Sequence, residues 1–253
     1  AIMLETFQIS AAVDNVTDQY YMNALTLGSC HRQGSPSFVF FSSFNEITSM
    51  TDTAVLDNPA STRSKRLKAA TQATHDKLDK AIMTGEPFAS RERYALFVKV
   101  QHGFHRDIEA LYDDATLDDL LPDLKGRRRI ALIEQDLADL GAQVPAIAAP
   151  PVFKAGASVD LPTALGWLYV AEGSNLGAAF LLKDALKLGL TETFGASHLA
   201  GAPEGRGLHW RTFTAALDDV SLSDENEARV IAGAEAAFNR VHGLVREVFS
   251  AAG

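Results

Sequence analysis

The stretch Gly166-Trp167-Leu168-Tyr169-Val170-Ala171-Glu172-Gly173-Ser174-Asn175-Leu176-Gly177-Ala178-Ala179-Phe180 decides how the rest of the chain is read. It lies inside residues 162–189, where apolar residues recur every three or four positions, the spacing of an α-helix with a buried face. Such a helix would be about 40 Å long at 1.5 Å per residue. Its centre nevertheless carries Gly173 and Gly177. Each glycine costs about 1 kcal/mol relative to alanine in a helix interior, so the pair gives up about 2 kcal/mol. Four residues apart, the two share one face and are separated by about 6 Å along the axis. A bare face of this kind has two readings. Another helix packs close to it, or the helix kinks there; alternatively, a flat ligand approaches the backbone. Trp167, Leu168, Tyr169 and Phe180 suit a large apolar ligand and a core equally well.

Outward from this helix the same periodicity predicts helices over 64–83, 90–112, 127–140, 207–218 and 224–249. Their ends carry boundary signals. Ser90 is a candidate N-cap, and Asp160 followed by Pro162 opens the long helix, because proline is tolerated in a first turn. Ser223 with Asp224 and Glu225 opens the last helix and puts acids at the positive end of its dipole. Gly141 and Gly189 fall where helices should stop. The Ala- and Pro-rich segment 142–160 is the clearest break. No strand-type alternation, internal repeat or low-complexity tract accompanies these helices, so no Rossmann unit or P-loop is predicted. The expected architecture is all-α: a single helical bundle over residues 61–250, with its site between helices.

Residues 1–60 read differently, with isolated apolar clusters such as Phe38-Val39-Phe40-Phe41 among Ser, Thr and Asn. The order of a secretory signal is missing. The expectation here is an N-terminal extension or leader, with a native start near Met50; a small docking segment is the rival.

The 253 residues carry 23 Lys+Arg and 32 Asp+Glu, a formal net charge of −9. An acidic chain lacks the basic footprint of a duplex-nucleic-acid binder. No apolar run reaches the roughly 18 residues of a membrane span. The single cysteine, Cys30, excludes an internal disulfide and a Cys-based zinc cluster, and makes a reducing, cytoplasmic setting the default.

His75 is the second informative position. A lone helical histidine is ordinarily just a hydrogen-bonded side chain. Here Asp79 stands at i+4, within reach of an imidazole edge, and a metal-ligating histidine usually donates its other N–H to such a group. Lys68 lies two turns earlier on the same face, about 10 Å along the axis. A cation there would pair with a carboxylate.

Taken together, His75 and the run from Gly166 to Phe180 resemble the bacterial branch of the biliverdin-forming haem oxygenases. Glu86-Pro87-Phe88-Ala89-Ser90-Arg91, Asp136-Leu137-Ala138-Asp139-Leu140-Gly141 and Ala237-Phe238-Asn239-Arg240 share the resemblance, which spans about 61–250. It implies a haem-oxygenase-like bundle with haem b, both cofactor and substrate, between a proximal and a distal helix. His75 matches the proximal iron ligand. Gly173 and Gly177 match the distal glycines facing dioxygen, with Ser174 and Asn175 where better-known members place an aspartate that holds water. Lys68 and Tyr169 match positions at the propionate edge, Asp79 stands beside the ligand, Phe238 lines the pocket, and Arg129 falls near the distal water network. The implied reaction consumes O2 and electrons and cleaves haem at a meso carbon to biliverdin, carbon monoxide and Fe2+. A propionate held by Lys68 and bordered by Tyr169 resembles the α-cleaving arrangement. The absence of flavin, nicotinamide and iron–sulfur motifs implies an external donor, a ferredoxin or flavin reductase. Arg63, Lys65 and Arg66, with Lys125 and Arg127 to Arg129, are either solvated charge or its docking surface. A bilin-receiving protein is a compatible further partner.

Two other functions fit parts of the pattern. A haem carrier or sensor would use the same pocket without turnover. A non-haem di-iron oxygenase would draw ligands from His102, His105, Glu109, Glu134 and Glu172, although the paired Glu-x-x-His spacing is missing. A thiaminase-like hydrolase would need a nucleophilic cysteine, and Cys30 lies in the N-terminal part.

Overall fold

The computed structural model describes residues 61–251. Seven α-helices account for most of them: α1 Arg63–Thr84, α2 Arg91–Ile108, α3 Ala115–Leu120, α4 Ile130–Asp139, α5 Leu161–Lys187, α6 Arg206–Asp219 and α7 Asp224–Ser250. Short 3-10 turns cover Glu109–Asp113, Lys125–Arg127 and Ser197–Leu199. Among the described residues the only extended pairing is a pair of isolated bridges at Thr191, and no helix is long and apolar enough to cross a membrane.

The helix ends follow the local chemistry. Ser90 Oγ accepts from Arg93 N at 3.3 Å, Asp160 Oδ2 from Thr163 N at 3.1 Å, and Ser223 Oγ from Asn226 N at 3.4 Å. Each cap satisfies one of the donors that a first turn leaves unpaired. Gly141 and Gly189 take left-handed φ values of 65° and 72° just past α4 and α5, the conformation glycine adopts without penalty. The expected helix over 90–112 is shorter: α2 ends at Ile108 and a 3-10 turn completes it. The span 127–140 begins only at Ile130, because Lys125–Arg127 forms a separate 3-10 turn. The short helix α3, capped by Asp114 accepting from Leu117 N at 2.9 Å, has no counterpart in the sequence reading; six residues carry too few turns for a periodic signal.

Helix α7 is the central element and packs on α5, α1 and α2. Its crossing with α5 is made by a glycine pair that the periodicity did not single out. A Cβ on Gly166 would lie 2.2 Å from the Val230 carbonyl oxygen, and one on Gly233 would lie 2.6 Å from that of Thr163. The two backbones therefore touch where neither residue has a side chain. Around this crossing Trp167 stacks on Phe104 with centroids 5.8 Å apart and meets the edge of Phe153 at 5.4 Å. Leu67, Leu168, Phe213 and Val230 complete that core without solvent exposure. A second core joins Tyr94, Phe97, Ile133 and Leu137 to Ala178 and Leu190 at the far end of α5. The segment 142–160 is tied down by Phe153 N donating to the Asp107 carbonyl at 3.0 Å and by Arg106 donating to Ala149 O at 2.7 Å.

Candidate active site

Gly173 and Gly177 are not used for helix packing. Helix α5 runs through both without interruption. A Cβ at Gly177 would meet nothing within 4 Å, and one at Gly173 would reach only the Trp210 ring, at 3.8 Å. Close packing of α5 is concentrated at Gly166 instead, and the face further along is open. Ser174 does not project into it freely, since its hydroxyl donates back to Ala171 O at 2.7 Å. Of the large apolar residues flanking the glycines, Trp167 and Leu168 belong to the core. Tyr169 packs against Trp210 with centroids 5.6 Å apart, and Phe180 lies beneath Lys183.

On α1, His75 keeps 45% of its side chain exposed, and its Nδ1 sits 3.3 Å from Asp79 Oδ2 and 3.9 Å from Asp76 Oδ1. Nδ1 is buried without a formed hydrogen bond. Asp76 is itself engaged by Gln72 Nε2 at 2.8 Å. Phe238 of α7 presents to the imidazole edge-on, with ring centroids 5.7 Å apart and planes at 75°. Lys68 is half-buried two turns earlier on α1. The structure thus brings His75, Asp79 and Phe238 together, and separately gathers Gly173, Tyr169 and Trp210. Helices α1 and α5 both rest on α7 and have little direct contact with each other. A half-exposed imidazole with one nitrogen facing a carboxylate, and a helix face without side chains, fit a planar ligated group.

Behind the glycines lies a polar layer that sequence reasoning only partly anticipated. Arg129, expected near distal water, is buried; its guanidinium donates to Ala200 O at 3.2 Å and His198 O at 3.5 Å. It also lines a cavity of about 10 Å³, room for one water molecule, together with Glu172, Asn175 and His209. Burial lowers the Arg129 pKa from its ordinary value. Glu172, next to Gly173, forms a fully buried ion pair with Arg127 at 2.7 Å. Further out, Asp136 accepts from Ser197 N at 2.7 Å, His198 N at 2.9 Å and His198 Nδ1 at 2.6 Å. Burial by itself would raise the Asp136 pKa, but the His198 and Ser197 hydrogen bonds outweigh it and leave the carboxyl below its usual range. His105 is pushed down to about 3, first by burial and then by His198 and Arg129, and so is neutral at ordinary pH. Glu172 and Asp136 carried no local sequence signal for these roles, because their partners lie tens of residues away.

Two of the alternatives the sequence left open lose support. The basic clusters do not make a continuous cationic face: Arg63, Arg127 and Arg129 are buried. Arg63 and Arg66 both pair with Glu227, Lys125 pairs with Asp118, and Arg128 pairs with Glu109 and Asp113. Long basic side chains next to a bundle of acidic helices find partners within the chain. Nor is the di-iron ligand set assembled. Glu172 is committed to Arg127, His102 reaches only Glu134 at 3.5 Å, and among the described residues no group of three or more His, Cys, Asp or Glu is placed to hold a metal. Cys30, Met50 and the reading of 1–60 lie outside the described residues.

An all-helical bundle with a half-exposed histidine on α1 and an open glycine face on α5 fits a helical haem-degrading enzyme, and the comparisons with known proteins give that class. The chain belongs to the Heme oxygenase family, whose sequence profile matches residues 61–247. It is 44% identical over 188 residues to the heme oxygenase PigA of Pseudomonas aeruginosa, covering 74% of this chain and 93% of that protein. A heme oxygenase of Xanthomonas campestris is 30% identical over 161 residues, 62% of this chain and 92% of that one. The crystal structure of the NO- and CO-bound heme oxygenase from Neisseria meningitidis superposes with a TM-score of 0.69 at 44% identity, covering 75% of this chain and 92% of that chain. The protein is a haem oxygenase, a haem-degrading, biliverdin-producing oxidoreductase for which haem is both substrate and cofactor.

Proposed function

We propose that His75 ligates the iron through Nε2 while Gly173 and Gly177 present bare backbone to the opposite face of the macrocycle. The observation that carries this reading is the space over Gly177, in an uninterrupted helix that accepts two glycine penalties there. Nδ1 faces Asp79 at 3.3 Å, so a hydrogen bond closed there would orient the imidazole and fix its tautomer. Phe238 packs on the ring edge and limits its rotation. Haem, when bound, supplies the iron and the meso carbon that the reaction oxidises. The chain supplies placement: a ligand on one side, exclusion of bulky groups on the other, and no side-chain acid from the glycines themselves. Ser174, hydrogen-bonded to Ala171, helps hold the turn between them. Arg129, at the cavity behind α5, orders water on the distal side.

Dioxygen and an external electron donor, a ferredoxin or flavin reductase, complete the reaction. The donor's docking surface is not built on Arg63, Arg127 or Arg129, which are buried. Lys68 and Tyr169 anchor a propionate and set the in-plane rotation of the macrocycle so that the α-meso carbon is attacked. Chromatography of the extracted pigment tests this: biliverdin IXα should dominate, and mostly β and δ isomers would refute it. Retention of the haem absorption on addition of reductant would instead support a carrier or sensor.

A further inference from the structure

We propose that His209 is a positioning residue for the distal helix: an imidazolium held between Glu204 and Glu172, it fixes the turn of α5 that leads into Gly173. The inference rests on the haem reading of that glycine face.

Each ring nitrogen faces a carboxylate. Nδ1 is hydrogen-bonded to Glu204 Oε1 at 2.7 Å, and Nε2, buried without a formed hydrogen bond, faces Glu172 Oε2 at 3.4 Å. A neutral imidazole has one N–H and serves one of them; only the imidazolium donates to both. Glu172 directly precedes Gly173, and the same Oε2 accepts from Arg127 Nη1 at 2.7 Å. Arg127 is in turn fixed by Pro122 O at 3.0 Å, by the His209 carbonyl at 3.4 Å and by the Phe213 ring at 5.5 Å. Glu172 therefore faces two cations, the permanent Arg127 of the 3-10 turn, hydrogen-bonded to it, and the titrating His209 of α6. Its other oxygen, Oε1, is buried without a partner beside the small cavity. That space lets the carboxylate re-aim when the ring loses its charge.

The charged and titratable groups around the ring are Glu172 from α5, Arg127 from the 3-10 turn, Glu204 from the loop before α6, and Arg129 and Arg206 at the cavity; the Tyr112 hydroxyl lies beside Glu172. The Glu172 carboxylate facing Nε2 raises the imidazole pKa, burial lowers it, and the hydrogen bond to Glu204 raises it again, leaving it above its ordinary value. The clamp is consequently closed at low pH and opens as pH rises through the elevated pKa.

The test follows the Gly173 and Gly177 amide resonances and the His209 ring in the full-length protein, apo and haem-loaded, from about pH 5 to 9. The glycine amides should shift with the His209 midpoint. Glu204→Gln, a half-exposed change that leaves the core intact, should lower both midpoints together by about one unit. His209→Gln should abolish the inflection while haem binding persists. Glycine amides that stay flat while His209 titrates, midpoints that separate in Glu204→Gln, or an inflection that survives His209→Gln would overturn the proposal. Absence of haem turnover in the unaltered protein would overturn the underlying reading instead, whatever the amides do.

Discussion

A single glycine separates the demands of folding from those of function. Nothing lies within 4 Å of a Cβ at Gly177, so Gly177→Ala should stabilise the apo protein by about 1 kcal/mol through helix propensity. The same methyl would occupy the space assigned to the macrocycle, so haem turnover should fall; calorimetry and a biliverdin assay on one preparation check both halves. Lys68→Ala belongs to the same scale. It should leave haem bound through His75 but mix the biliverdin isomers, read by chromatography. His75 with Lys68 on α1, and the two glycines on α5, were legible in the sequence because each pair's spacing is local, within two turns of its own helix. The Glu172–Arg127 pair was not, since its partners are brought together only by the fold.

At the scale of elements, the contrast is between glycines of different purpose. Gly166 and Gly233 close the α5–α7 crossing, and Gly166→Ala would drive a Cβ into the Val230 carbonyl. It should destabilise the fold by about 3 kcal/mol, measured by denaturant unfolding, in the direction opposite to Gly177→Ala. The sequence pattern placed four of the seven helices within two residues at both ends, since long amphipathic spans and their Ser, Asp and Gly ends are local signals. It misplaced the start of α4, because a 3-10 turn spends the preceding residues, and it could not say which glycines were packed against a neighbour. The link between α4 and the 197–199 turn is likewise invisible locally. There Asp136, with no solvent exposure, accepts three hydrogen bonds. Its folded pKa lies below the ordinary 3.8, so it contributes stability above that pH and loses it as pH falls through the lowered value. Asp136→Asn should cost about 3 kcal/mol near neutrality and flatten the acid limb of the stability profile followed by circular dichroism.

The whole molecule couples ligand binding to stability. Haem at about one hundred times its dissociation constant should add roughly 2.7 kcal/mol, a rise in melting temperature of about 5–10 °C for a domain of this size. The increment is expected in Lys68→Ala and reduced in His75→Ala.

The most direct measurement is the absorption spectrum of the haem-reconstituted protein, unaltered and His75→Ala, recorded through addition of reductant in air. The unaltered protein should show a histidine-ligated Soret band that bleaches to green biliverdin. His75→Ala should lose both the band's position and the bleaching, with the spectrum restored by added imidazole. An unchanged spectrum and unchanged turnover in His75→Ala would contradict the account.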